Sequence, residues 1–387
     1  MTVNKLEKLI HELCPEGVPR KRLDSLCKIK TGKRDANHGS PTGKYHFFTC
    51  SRDNLYIDDY SFDTEALLVA GNGEVGAVKY FKGKFDAYQR TYVLTNFEGI
   101  NVFYLLHFIS GYLIPHLNVL SNNSTISYIK LEMLGGFRIP VPPIKIQDEI
   151  VKILDTFTSL ESELKSELEA RKKQYAYYRE SLFDSDDKGA EIKSIDQVST
   201  IWRGRRFVKD DILEEGIPAI HYGEIYTKYG LASAEAFSFL DPELASRLRF
   251  AKTGDVILVS AGETIEDIGK SFVWLGVEDV VIHDACYGLR SESVDPSYMV
   301  HFFNTHNFRS QLQKYISTSK ISSISTEKLG KVFIPVPAIS LQKEIAKQLD
   351  KFDALVAISL PAEISARKKQ YEYYRDKLLT FKELESA

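Results

Sequence analysis

Arginine, lysine, asparagine and glutamine carry the donors and acceptors that read base edges in the major groove of DNA, and this sequence sets them in loop-like stretches twice. In the first half they fall in Gly32-Lys33-Arg34, at Asn72, in Gln89-Arg90-Thr91, in Asn122-Asn123-Ser124-Thr125 and at Lys130. In the second half they fall in Arg203-Gly204-Arg205-Arg206, at Thr264, in His283-Asp284 and in Ser317-Thr318-Ser319-Lys320. Any one of these stretches is also an ordinary turn. Their recurrence makes Lys33, Arg34, Asn72, Arg90, Asn122, Asn123, Ser124, Lys130, Arg203, Arg205, Arg206, Thr264, Ser319 and Lys320 the candidate contacts to nucleic acid.

No comparable set exists for bond-making chemistry. Gly71-Asn72-Gly73-Glu74-Val75-Gly76 matches G-x-G-x-x-G, but a phosphate cradle needs a helix next. Ala77-Val78-Lys79-Tyr80-Phe81 follows instead and reads as a strand, so the glycines mark a β-turn. Asp295-Pro296-Ser297-Tyr298 lacks the second proline of the (Asn/Asp)-Pro-Pro-Tyr signature of amino-methyltransferases and reads as a turn into a helix. Walker A, H-E-x-x-H and G-x-S-x-G sequences are missing. Cys14, Cys27, Cys50 and Cys286 form no C-x-x-C pair and no metal-ligand rhythm with the nine histidines. The expectation is a chain that binds, without catalytic residues or metal ligands of its own.

Charge limits how it could bind. The 387 residues carry a net charge of −3. Residues 1–143 hold 17 Lys/Arg against 14 Asp/Glu, and residues 18–44 hold 8 against 2. Residues 184–338 hold 17 against 23. Bulk attraction to phosphates would want more positive charge, so any DNA contact must use local basic spots and base edges. Hydrophobic residues at 43% suffice for real cores, and the length suits two domains. No apolar run approaches the ~18–20 residues that span a bilayer. MTVNKLEKLIHELCPEG has no apolar signal-peptide core. A cytoplasmic location with no membrane partner is expected.

The elements that would hold these loops come in two copies. Ile139–Ile150 reads IPVPPIKIQDEI and Ile334–Ile345 reads IPVPAISLQKEI, identical at eight of twelve positions with a spacing of 195. Ala170–Arg179 reads ARKKQYAYYR and Ala366–Arg375 reads ARKKQYEYYR, identical at nine of ten with a spacing of 196. Weaker echoes precede them. Leu26-x-x-Ile29-x-x-Gly32-x-Arg34 matches Val198-x-x-Ile201-x-x-Gly204-x-Arg206, and Leu68-Val69 before Gly71 matches Leu258-Val259 before Gly262.

Gln147–Phe183 contains no proline or glycine, and its apolar residues keep a heptad seam: Ile150, Ile153, Leu154, Phe157, Leu160, Leu164, Leu168, Tyr175, Tyr178 and Leu182. This predicts a rod of roughly 55 Å. In the second copy Ile345, Leu349, Phe352 and Leu355, then Ile364, Tyr371, Tyr374 and Leu378, repeat the seam, with a kink or short break expected near Ser359–Pro361. The two rods can bury their seams as an antiparallel pair. The basic ARKKQY ends serve either as solvated helix ends or as docking points. Candidates for the helix pair or for docking are Phe157, Leu164, Arg171, Tyr175, Tyr178, Phe352, Arg367, Tyr371 and Tyr374. Before each rod, strand-like runs (Ala66–Ala70, Ala77–Phe81 and Thr91–Thr95; Asp255–Ser260, Ser271–Leu275 and Asp279–His283) and one helix (Val102–Ile114; Tyr298–Tyr315) predict α+β domains.

Two variable regions, each closed by an Ile-Pro-Val-Pro exit and a Gln-x-Glu-Ile helix start, resemble the specificity subunit of type I restriction-modification enzymes. The resemblance spans the chain and is carried by Ile139–Ile150, Ala170–Arg179 and their second copies. It implies two target-recognition domains, residues 1–143 and 184–338, separated by a pair of long antiparallel coiled-coil helices, residues 144–183 and 339–387. It implies reading of a bipartite site in double-stranded DNA and docking of two modification (methyltransferase) subunits and of restriction (endonuclease/translocase) subunits. S-adenosylmethionine, ATP and Mg would then sit only on those partners. Two other classes fit parts of the sequence. A DNA methyltransferase with its own recognition domain would bind S-adenosylmethionine alone, and a coiled-coil scaffold would show no DNA selectivity even with modification subunits present.

Overall fold

The computed structural model describes residues 3–53, 55–120, 127–184, 189–318 and 321–384. The chain divides into two compact units, neither continuous in sequence with a whole rod. The first takes residues up to 165 and those from 362 onward; the second takes residues 166–361. Both divisions fall inside long helices. The class is α+β with an internal tandem repeat.

In the first unit six strands lie in the order Lys28–Thr31, Thr91–Thr95, Phe62–Ala70, Val78–Ala87, Tyr45–Phe48 and Leu55–Ile57. Residues of one strand alternate between faces, and the two faces bury different partners. Leu67, Val69 and Leu94 pack with Tyr104, Leu105, Phe108 and Leu113 of the Val102–Leu120 helix. Ala66, Leu68 and Val93 pack instead against Phe85 and the partly buried Phe48, Phe62 and Phe81. A strand covered on both sides must be apolar throughout, which is why Ala66–Ala70 reads as a continuous run. The Val102–Leu120 helix is 19 residues long and apolar enough to cross a membrane by length and composition, against the expectation that no such run exists. Here it is a core helix: Tyr104, Leu105, Ile109, Leu113 and Leu117 are buried.

The second unit repeats this plan. Its five-stranded sheet has the order Thr200–Arg203, Cys286–Arg290, Val256–Val259, Ser271–Trp274 and Ala232–Ser233, and a four-stranded sheet (Ser238–Leu240, Ile217–Ile220, Val280–Ile282, Phe250–Ala251) adds to it. Val256 and Leu258 face the helices, while Ile257 and Val259 face the other core. This corrects the register of the repeat. Val69 corresponds to Leu258, not to Val259, because a shift of one residue moves a side chain to the opposite face. The helix expected over Tyr298–Tyr315 is two helices, Pro296–Phe303 and His306–Gln313, since the Thr305 hydroxyl accepts from the Phe308 amide at 3.2 Å and caps a new start.

The first rod is one α-helix, Ile144–Leu182, about 58 Å long. The second runs α-helical over Ile339–Asp353, π-helical over Ala354–Ser359 and α-helical again over Leu360–Leu379. The expected break near Pro361 is therefore a widened turn. It absorbs the extra residue that changes the repeat spacing, and it opens room for the proline ring. Both rods start from the same clamp. The Gln147 side chain, fully buried, donates to the Pro142 carbonyl at 2.7 Å and accepts from the Asn101 amide at 2.7 Å. Gln342 does likewise with Pro337 at 2.8 Å and Asp295 at 2.9 Å. Tyr104 donates to the Pro140 carbonyl at 3.0 Å and Tyr298 to that of Pro335 at 2.9 Å. Ile-Pro-Val-Pro and Gln thus recur because one folding unit recurs. Of the seam, Ile150 and Leu154 are buried, whereas Leu160 and Tyr178 are exposed.

The first unit also closes upon itself. The Val18 amide donates to the Lys382 carbonyl at 2.9 Å, and the Leu384 amide donates to the Val18 carbonyl at 3.1 Å.

Candidate nucleic-acid interface

Backbone hydrogen bonds string the first-half candidate loops into one row. The Gln89 amide donates to the Arg34 carbonyl at 2.9 Å, the Gly71 amide to the Arg90 carbonyl at 2.9 Å, and the Ile129 amide to the Gly71 carbonyl at 2.7 Å. Lys33–Arg34, Arg90, Asn72 and Lys130 are thereby brought together. Gly32 must be glycine, because a Cβ there would overlap the Ala87 carbonyl. Arg34 is engaged by the fold: it pairs with the buried Asp86 at 2.7 Å and with Asp59 at 3.0 Å. Lys33, Arg90 and Lys130 are exposed, and Asn72 is half-buried, bridging to Tyr128. Asn122, Asn123 and Ser124 lie outside the described residues.

The same row exists in the second half. The Gly204 amide donates to the Cys286 carbonyl at 3.0 Å, as the Gly32 amide does to that of Thr91 at 3.3 Å. The Ser260 amide donates to the Ala285 carbonyl at 2.8 Å, as Gly71 to Arg90, and the Ile324 amide to the Ser260 carbonyl at 3.0 Å, as Ile129 to Gly71. Gly204 again leaves no space for a Cβ, here against the His283 carbonyl. Arg203 donates to the Asp284 carbonyl at 2.6 Å and Arg205 to that of Arg247 at 2.6 Å. Thr264 is exposed, its amide donating to the Asp267 carboxylate at 3.3 Å. Ser319 and Lys320 lie outside the described residues.

Beside this row opens a cleft of about 900 Å³, lined among others by Arg203, Arg206, Lys209, His221, Tyr222, Glu263, His283 and Asp284. Lys209, His221, Tyr222 and Glu263 were not among the sequence candidates. Only the parallel pairing of Ile220 with Ile282 brings His221 and His283 together, with ring centroids 4.9 Å apart, and nothing in their sequence spacing signals it. Burial holds His221 below the ordinary histidine value, and the Lys209 charge adds to this while Glu224 opposes it. Burial also lowers His283; Asp284 works against that, and His221 and Arg206 reinforce it. Both rings are neutral at neutral pH.

The candidates on the rods divide between inside and outside. In the first unit Phe157 stacks on Tyr374 with centroids 5.1 Å apart. His107 Nε2 lies 2.9 Å from Asp155, and its Nδ1 lies 2.9 Å from the Tyr371 hydroxyl. Because the carboxylate can only accept, the neutral ring donates from Nε2 and accepts the Tyr371 proton at Nδ1. In the second unit His301 lies 2.8 Å from Asp350 and 3.4 Å from the Tyr175 hydroxyl, while Tyr175 and Tyr178 stack on Phe352. Burial pushes the Tyr371 hydroxyl up to about 12 and raises that of Tyr175. These tyrosines and Phe352 join each recognition fold to pieces of both rods. Arg171 binds Glu167 and Gln174 on its own helix, Arg367 binds Glu363 and Gln370, and Leu164 is half-buried. Among the side chains facing out are Lys172, Lys173 and Tyr177, then Lys368, Lys369 and Tyr373; Tyr177 is 70% and Tyr373 63% exposed.

The duplicated row and rods agree with what comparison with known proteins finds. The family described as type I restriction modification DNA specificity domain matches residues 15–170 and again residues 187–366. The chain belongs to this family. A Haemophilus influenzae protein assigned as a type I restriction enzyme specificity subunit is 28% identical over 397 residues, spanning 97% of this chain and 98% of that one. Among solved structures, the S subunit of a type I restriction-modification system from M. genitalium matches with a TM-score of 0.58 at 17% identity, over 93% of this chain and 96% of its own. A chain from a structure of complex assembly and conformational transition in a type I system matches with a TM-score of 0.61 at 16% identity, over 94% and 98%. These two likenesses concern the fold. Neither the scaffold nor the self-contained methyltransferase is supported by a specificity-domain family repeated along the chain.

Proposed function

We propose that this chain reads a bipartite site in double-stranded DNA for a type I restriction-modification complex, one half-site with each half of the chain. Residues 1–143 and 184–338 act as the target-recognition domains. Residues 144–183 and 339–387 set the distance and dock two modification subunits, which restriction subunits join. The observation that carries this reading is the row of loops tied by equivalent backbone hydrogen bonds in both halves. The row presents side chains suited to base edges from a framework that differs little between copies. The outward Lys172, Lys173 and Tyr177, with Lys368, Lys369 and Tyr373, repeat almost without change and offer equivalent docking faces for two copies of one partner.

The chain itself makes and breaks no bonds in this scheme. S-adenosylmethionine, ATP and Mg²⁺ would sit on the partner subunits; among the described residues the Gly71–Gly76 turn leads into strand Val78–Ala87 and not into the helix that a phosphate cradle uses. The test is a domain exchange in cells that also express the modification subunits. Replacing residues 184–338 by the corresponding part of another specificity subunit should change one half of the methylated site and preserve the other half and the spacer, as read by mapping methylated adenines. A swap that rewrote both halves, or a wild-type complex with no sequence preference, would overturn the reading.

A further inference from the structure

We infer that Arg206 reads a guanine in the half-site taken by the second half of the chain; this rests on the DNA-reading role proposed above. Arg206 follows Gly204 as Arg34 follows Gly32, at the same place in the repeated row. Arg34 is held between Asp86 and Asp59. Arg206 has no such carboxylates, and its guanidinium makes no hydrogen bond or ion pair among the described residues while lining the 900 Å³ cleft. Its neighbours Arg203 and Arg205 are tied to backbone carbonyls. One arginine of the cluster is therefore left with its planar fork unused.

The surroundings favour a base edge over a phosphate. Glu263 and Asp284 share the cleft with Arg203, Arg206 and Lys209, Arg203 lying 3.5 Å from the Asp284 carboxylate, and residues 184–338 carry 23 acidic against 17 basic side chains. Carboxylates repel a phosphate row, whereas base edges present amino donors as well as acceptors. The neutral His221 and His283 add no charge to offset those acids. With Arg203 paired to Asp284, two cleft cations are left, Lys209 and Arg206; lysine is a point charge, while the arginine fork matches guanine O6 and N7 together.

The experiment uses the full chain in complex with its modification subunits, with binding measured on duplexes varied one base pair at a time and methylated adenines mapped in cells. The wild-type second half-site should contain a G·C pair whose replacement weakens binding about ten- to a hundred-fold. Arg206→Ala should abolish that one preference and leave the first half-site and the spacer intact. Arg206→Gln, whose amide matches adenine N6 and N7, should move the preference from guanine to adenine, a gain that misfolding cannot produce. Two results would overturn the inference while leaving the DNA-reading role standing: Arg206→Ala with every preference unchanged, or weakening equal on all sequences with a shallower salt dependence, the mark of a phosphate contact. A wild-type complex without sequence preference would overturn the underlying role as well.

Discussion

The most constrained polar side chains in this protein tie each recognition fold to its pieces of rod. His107 is one of them. It is buried, donates to Asp155 and accepts from Tyr371, and burial lowers its proton affinity, with Arg375 adding to this and Asp155 opposing it. A histidine whose folded value lies below the ordinary ~6.5 stabilises the fold above that value. Between its folded and unfolded values the unfolded chain binds more protons, so stability falls as pH drops through ~6.5. His221 and His283 shift in the same direction. Thermal unfolding followed from pH 7.5 to 5.5 should show a falling midpoint. His107→Gln, which can keep both hydrogen bonds without titrating, should flatten that slope; an unchanged slope would show that the ring does not govern it.

At the scale of elements, the two rods make opposite responses to a change of length. The second already carries one extra residue within the π-helical Ala354–Ser359 turn, and Tyr371 still meets His107 as Tyr175 meets His301. Removing the exposed Ile358 together with Pro361→Ala should therefore restore a plain α-helix and leave the thermal midpoint within a few degrees. Removing Glu169 from the uninterrupted first rod, between Leu168 and Tyr175 that both pack in the second unit's core, should instead turn the later residues of that rod by about 100° about the axis relative to Leu168. Tyr175 then leaves His301 and Phe352, and the second unit should lose hydrogen-exchange protection.

The rods were legible in sequence because heptad spacing and near-identical repeats survive in one dimension. Strands Phe62–Ala70 and Thr91–Thr95 were legible as apolar runs. The short strands Tyr45–Phe48 and Leu55–Ile57 were not, since pairing across the sheet creates them. The cleft was hidden for the same reason: His221 and His283 are 62 positions apart and become neighbours only through strand register.

For the whole molecule, the divided units predict how pieces behave. Residues 1–185 hold the first recognition fold and the first rod but lack residues 362–387, which complete that unit. The rod's own end, Ala170–Arg179, nearly equals the missing Ala366–Arg375 in sequence. In a fragment of residues 1–185 each copy can lend its rod end to the other, so a two-fold dimer is expected, reading a symmetric site. Light scattering at micromolar concentration should give twice the chain mass. A stable, well-folded monomer would contradict this account of what each rod end contributes.

The backbone stitch between Val18 and Lys382–Leu384 bears on heredity as well as on folding. A polypeptide in which residues 382–384 are sewn beside residue 18 can be joined across that stitch by a short linker. Opening such a chain at the junction after the first rod and bridging it across the stitch would yield a circular permutant with the same neighbours throughout. Exchange of segments at the two near-identical helix ends, Ala170–Arg179 and Ala366–Arg375, is equally conservative, since either product inherits a rod end that the other half already accepts. New pairings of half-sites can then arise by exchange of gene segments, with no surface redesigned.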